Sequence, residues 1–255
     1  MVRTLILALA WYASNAPAQE AGAWEQTRSI SAPEAHQAAA AHGKHVYAIA
    51  SRAVAKYDRR TGKRVAISSG KAKHLNSGLF WNSRLYCAHS NYPTKPERSQ
   101  IMVLDPDTMR LSVFKDFGDS GGSLVWAIRR DGFWWCNFAH YGEDNQRTFF
   151  VKYDQDWNEL ARWTYPKPVI NELGRFSLSG GIWRGKDLLV TGHDDPVVFR
   201  LRLPENGNVL QFIDQQPAPF SGQGIANDPL TGGLIGIHRA NRQIVFAEQQ
   251  KPPQE

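Results

Sequence analysis

The chain lacks most of what marks a helical, membrane-embedded or motif-driven protein. Only Cys87 and Cys136 are cysteines among its 255 residues, so at most one disulfide can form. Long helical periodicity is scarce, and after the first residues no apolar run approaches the roughly 20 needed to span a bilayer. No stable membrane insertion is therefore expected. There is no G-x-S-x-G elbow, no H-E-x-x-H pair, no P-loop and no dinucleotide fingerprint, so neither those hydrolase types nor a nucleotide cofactor is expected. The net charge is +6, yet its basic residues are scattered, as in Arg59-Arg60, Lys71-Ala72-Lys73 and Arg129-Arg130. No nucleic-acid footprint is formed.

Aromatics and turn formers are abundant instead: 9 Trp, 8 Tyr and 12 Phe, with 21 Gly and 14 Pro. That balance favours an all-β chain. At the N-terminus, Arg3, the apolar stretch Leu5 to Ala13 and Ala16-Pro17-Ala18 have the order of a cleaved secretory signal. The expected organisation is a signal peptide at 1–18, one domain at 19–250 and a disordered tail at 251–255. The mature protein is expected to be periplasmic or secreted.

A weak repeat recurs about every 45 residues, the range of propeller blades. Its clearest copy reads SGLFW, RLYCAHS, QIMVLDP, RLSVFKDF, from Ser77 onward. Three further copies begin near His36, Ser123 and Leu178, each with four short apolar runs parted by Gly, Asn or Asp turns. The last copy, GQGIAND, GLIGIHRAN, RQIVFAEQ, stops one strand short. The segment Trp24 to Ser31 is left over at the other end, and pairing it with Arg242 to Glu248 would close the ring. Closure removes the unpaired edges of an open stack. The fold predicted is a five-bladed β-propeller of four-stranded antiparallel blades. Asp58, Asp105 and Asp154 end third strands before turns, where Asp binds backbone N–H groups, so they are expected to be structural.

The repeat also orders the histidines. His89, His140, His193 and His238 fall at the ends of second strands in four successive blades. His36 and His74 lie near the starts of first strands, on the same face; His42 and His45 belong to the other. A His-rich site at the mouth of the central channel is the expectation, with His89, His140, His193, His238, Tyr141 and Arg239 as catalytic candidates. His36, His74, Asn76, Ser77, Asn91, Tyr92, Ser179, Asp194 and Gln223 are candidates for holding a small-molecule or glycan ligand. Gly121, Gly122, Gly180, Gly181, Gly222 and Gly224 either leave room in the channel or relieve crowding where strands converge.

Two chemistries fit. In one, His89, His140, His193 and His238 bind a divalent metal (Zn, Mn or Fe) that polarises a carbonyl or activates water. In the other, a His or Tyr removes a proton beside a carbonyl or lactone, and Arg239 steadies the developing negative charge. A carboxylate pair, Asp194 or Asp195 with Glu143 or Asp144, would suit glycoside hydrolysis. The function expected is lyase, isomerase or hydrolase action on a sugar-derived small molecule or oligosaccharide. The alternative is a non-catalytic propeller that binds a glycan, metal or partner protein. Cys87 and Cys136 occupy equivalent positions in neighbouring blades, and sheets packed about 10 Å apart leave them too distant for a disulfide, so both are expected free and buried.

The stretches HLNSGLFWNSRLYCAHSNYP, WCNFAHY, SGGIW with VTGHDDP, and GQGIANDP with GIHR resemble secreted bacterial β-propellers of the lactonase-like and NHL-like group. Members of that group are loosely labelled hypothetical proteins or cycloisomerases. The resemblance spans nearly the whole expected mature chain. A lactonase-type relative implies a calcium site of Glu, Asn and Asp, from which this His-dominated rim departs.

Overall fold

The computed structural model describes residues 22–250; the expected signal peptide and C-terminal tail lie outside them. Strand β1 (Trp24–Ser31) comes first, followed by blade one: β2 (Ala38–His42), β3 (His45–Ile49), β4 (Val54–Asp58) and β5 (Arg64–Ile67). Blade two is β6 (His74–Trp81), β7 (Arg84–Ser90), β8 (Ser99–Asp105) and β9 (Arg110–Gly118). Blade three is β10 (Ser123–Arg130), β11 (Phe133–Ala139), β12 (Phe149–Tyr153) and β13 (Glu159–Thr164). Blade four, β14 (Gly180–Arg184), β15 (Asp187–Thr191), β16 (Val197–Arg202) and β17 (Gln211–Pro217), follows a short helix α1 (Lys167–Glu172). Blade five holds β18 (Ala226–Asn227), β19 (Leu234–His238) and β20 (Gln243–Gln249), and β1 is its outer strand. Trp24 pairs with Gln249 and Ser31 with Gln243. The chain is a five-bladed β-propeller closed by its N-terminal strand, as the repeat indicated.

Burial follows position in the blade. Inner strands sit between two neighbouring blades and are covered on both faces, so β2 and β10 read as near-continuous small or apolar runs. Outer strands such as β5 and β13 are largely exposed. The core is therefore a set of wedges between adjacent blades. Tryptophans fill several: Trp134 meets Trp81 edge-on at 5.6 Å between blades two and three, and Trp135 meets Trp183 at 5.2 Å between three and four. Blades one and five are tied by a bidentate ion pair between Arg59 and Asp228. Asp58 accepts from Thr61 N–H, Asp105 from Asp107 and Thr108, and Asp154 from Asp156 and Asn158, so all three hold turns. Cys87 and Cys136 are free and buried; burial pushes the Cys87 thiol up to about 12.

The axis is closed at one end. Loops leading into the inner strands pinch together, and Gly224 N–H donates to Gln37 C=O at 2.9 Å while Ala38 and Gly224 bridge in parallel. A Cβ on Gly224 would lie 2.5 Å from Ala38 Cβ, and one on Gly180 would lie 2.9 Å from Gly224 Cα. Such distances are well inside van der Waals contact, so these glycines relieve crowding and do not open a channel. The histidine-bearing face consequently overlies a plug. The opposite end holds a cavity of about 260 Å³, lined from all five blades by residues including Ala41, Phe80, Arg129, Trp183 and Asn227.

Candidate functional site

The plugged face carries the loops into the first strands and the connections between second and third strands. It therefore brings together His36, His74, His193, Asp194 and Arg239 from four blades. Arg239 is the hub. Its Nη1 lies 3.1 Å from His193 Nε2 and its Nη2 lies 3.5 Å from His36 Nε2. His193 Nδ1 is 2.7 Å from Asp194 Oδ2, and the imidazole stacks on Phe176 with centroids 3.9 Å apart and planes 6° from parallel. Gln223 anchors the same loop by donating from Nε2 to His193 C=O at 2.6 Å.

A guanidinium only donates, so in this contact His193 Nε2 accepts from Arg239, and Nδ1 is the nitrogen that donates toward the Asp194 carboxylate. The imidazole is thus oriented between a guanidinium and a carboxylate. His36 also faces Gln37 Nε2 through its Nδ1 at 3.3 Å. A neutral imidazole accepts on one nitrogen only, so Arg239 and Gln37 compete for it. Burial, and next the Arg239 charge, hold the His36 imidazole below its usual range. The same two causes, in the same order, lower His74. Beside this cluster a cleft of about 470 Å³ is lined by Asp194, Ser221, Arg239, Ala240 and Arg242.

The other candidates lie in separate places. His140 borders a cleft of about 300 Å³ with Tyr92, Glu97, Tyr141 and Asp144. An aromatic run, His74 to Tyr92 at 5.4 Å and Tyr92 to Tyr141 at 5.0 Å, leads there from the Arg239 cluster. Burial, then the charges of Tyr92 and Glu97, raise the Tyr141 phenol, which makes it a proton donor rather than a base. His89 turns toward a groove between blades one and two, where its Nε2 accepts from Lys73 N–H at 2.9 Å. His238 Nδ1 accepts from Asn241 N–H inside its own turn.

The four strand-end histidines therefore do not share a centre. Among the described residues no three His, Cys, Asp or Glu side chains are placed to hold a metal ion. That corrects the expectation of a metal on His89, His140, His193 and His238. The reason is where each histidine stands relative to its strand end. His89 still pairs within β7, opposite Leu75, whereas His140 and His193 lie beyond β11 and β15. Past the strand end the turn, not the pleat, aims the side chain, so His140 and His193 follow their loops while His89 follows β7.

Several predicted ligand contacts are taken up by the fold. Asn76 Nδ2 donates to Leu124 C=O at 3.2 Å, and Asn91 closes its loop by accepting from Arg98 N–H and donating to Pro96 C=O. Ser77 packs beneath Gly224, and Ser179 Oγ reaches Ser177 C=O at 3.5 Å. Sequence reasoning missed Phe176, Gln37 and Arg242. Phe176 and Gln37 each lie just ahead of a first strand, and Arg242 shares the turn of Arg239, so the blade alignment could have found all three.

No known protein family matches the chain, and no curated protein matches it. Among solved structures, the Myxococcus xanthus glutaminyl cyclase superposes with a TM-score of 0.60 at 11% identity, covering 89% of this chain and 96% of that one. This likeness shows the propeller fold. More distant are a chain of the mitotic checkpoint complex, with TM-score 0.46, 10% identity and coverage of 96% and 98%, and a Bacteroides caccae protein of unknown function. The latter has TM-score 0.44, 13% identity and coverage of 79% and 65%. None of these comparisons supports the lactonase-like or NHL-like assignment beyond the fold.

Proposed function

We propose that the protein is an extracytoplasmic enzyme that removes a proton beside a carbonyl or lactone group of a sugar-derived small molecule. The observation that carries this reading is the chain Asp194–His193–Arg239 at the edge of the 470 Å³ cleft. A substrate oxygen entering the cleft takes over an Arg239 N–H, which frees the His193 Nε2 lone pair. Nε2 then takes the carbon-bound proton, and the electron pair moves onto the carbonyl oxygen. Arg239 opposes the charge that builds there, and Asp194 stabilises the imidazolium. Return of the proton to another carbon gives isomerisation; loss of a neighbouring substituent gives elimination. The location outside the cytoplasm rests on residues 3–18.

The test is proton NMR in D₂O with a panel of sugar lactones and sugar acids. Wash-out of the C–H next to the carbonyl reports proton removal whatever the product. His193→Gln should reduce wash-out by about 10²–10⁴-fold, the usual contribution of a general base, with the fold intact. A glutaminyl peptide in the panel checks whether the activity in the name of the Myxococcus xanthus protein extends to this chain. Binding without exchange or turnover would favour the non-catalytic glycan platform.

A further inference from the structure

The groove that receives His89 has a character of its own. It is wider than the cleft at Arg239, about 660 Å³, and lies between Arg52 of blade one, the 70–73 segment joining the blades, and the second and third strands of blade two. Four cations line it: Arg52, Lys71, Lys73 and Arg98. None forms an ion pair with a carboxylate among the described residues, although ten Lys or Arg pairs with carboxylates occur elsewhere. Of the acids close by, Glu97 pairs with Lys95, while Asp116 accepts from the Gln100 amide at 2.9 Å and feels the Arg98 charge without forming an ion pair. His89 is 8% exposed, and its Nδ1 is buried without a partner. Four cations in one concavity, with Asp116 opposing only part of their charge, repel one another, a cost that a bound anion reduces.

The groove also connects to the Arg239 cluster. Gln37 bonds Ser51 at 3.0 Å and faces His36, and Ser51 adjoins Arg52. On the other side Lys73 adjoins His74. Cations thus continue from Arg242 and Arg239 across the face to Arg52 and Arg98.

We infer that this groove is a subsite for an acidic oligosaccharide, holding carboxylate- or sulfate-bearing sugar units that flank the unit at Arg239. The inference rests on the proposed reading of the Arg239 site and extends it to a substrate class. Its chemistry distinguishes glycan from nucleic acid. Single strands are bound by cations interleaved with aromatic platforms on which bases stack, and no Trp, Tyr or Phe lines this groove. The volume lies within the usual range of small-ligand sites, about 300–1,000 Å³, which suits a few sugar rings and not a duplex.

The experiment is calorimetric titration of the described protein with a tetragalacturonate, a heparin tetrasaccharide, a neutral maltotetraose and a single-stranded oligonucleotide. The comparison protein is the Lys71→Gln, Lys73→Gln, Arg98→Gln triple variant, checked by circular dichroism. At least one acidic tetrasaccharide should bind, weaken with added salt, and lose about tenfold or more in affinity in the triple variant; maltotetraose should not bind. Preference between the first two ligands separates carboxylate from sulfate. Equal affinity in native and variant protein, or tighter binding of the oligonucleotide, overturns the inference. His193→Gln separates the two readings, because it should cut wash-out by about 10²–10⁴-fold yet keep the affinity that the triple variant loses. Triple-variant-sensitive binding by a protein that exchanges no proton would leave the groove standing and remove the enzyme reading.

Discussion

Asp228→Ala should destabilise the propeller far more than loss of an ordinary surface ion pair. Asp228 stands in the turn after β18 in blade five, and its side chain is fully buried; Arg59, from the end of β4 in blade one, is 13% exposed. Their oxygens and nitrogens meet at 2.7 and 2.5 Å. The guanidinium also lies 4.8 Å from the Phe246 ring centroid. Without the carboxylate a buried cation remains unpaired, which costs about 3–5 kcal/mol. In a domain of this size each kcal/mol lowers Tm by about 2–4 °C, so a fall of roughly 6–20 °C is expected. Urea denaturation should show a lower midpoint at unchanged slope. An Arg59→Met, Asp228→Leu double variant should regain most of the loss, since neither charge is then buried alone. Burial raises the Asp228 carboxyl, but the bonds from Arg59, Leu230 and Thr231 outweigh it, and the net shift is downward. A depressed carboxyl stabilises the fold above about pH 4, and that contribution is lost as pH falls through the folded-state value. The variant should therefore lose part of this acid limb. A cost below about 1 kcal/mol, typical of exposed pairs, would refute the view that this contact ties blade one to blade five.

Ring closure gives a second prediction. Trp24 is 4% exposed and its Nε1 donates to Gln216 Oε1 at 3.0 Å; Trp24→Ala should cost about 3–5 kcal/mol in urea denaturation and speed proteolytic release of β1. The titration of the site gives a third. Arg239→Gln removes a charge that lowers both His36 and His74, so their imidazole NMR titrations should move upward together. In the native protein these lowered imidazoles make stability fall as pH drops below about 6.5, because the unfolded chain binds protons first.

The fold was legible in the sequence because blades announce themselves by period and pairing. SLVWAI, FWWCNFAHY and FFVKYDQDWN became β10, β11 and β12, and the missing strand of the last copy was found in Trp24 to Ser31. Apolar residues were sufficient for this, since each wedge needs apolar cover and each hairpin needs a turn. The site was legible to the level of a face. Placement within that face was not, because the apolar pattern does not show whether a histidine still sits in its strand or has passed into the turn. His89, inside β7, and His140, one residue past β11, therefore go to different clefts. Gln223 and Asn76 have the composition of ligand contacts, but only their partners, His193 C=O and Leu124 C=O, show that they hold loops together.

The plug explains why the chemistry gathers where it does. An open channel would expose each inner-strand residue to solvent from both ends and leave polar groups at the axis hydrated. Closing one end with Gly224 against Ala38 turns the loops above it into a shallow bowl with a rigid floor. A floor made of strand starts holds the Arg239 turn of blade five against His193 of blade four and His36 of blade one. Two neighbouring blades thereby hold the guanidinium of a third from two sides, which preorganises it better than a single loop would. The same bowl is unsymmetrical, because blades two and three carry long loops at 91–98 and 140–148, while blade five turns directly from His238 to Gln243. The 91–98 loop raises one wall beside the cationic groove. A ligand with several anionic groups would thus be received along an arc of the face, from blade five across blade one to blade two.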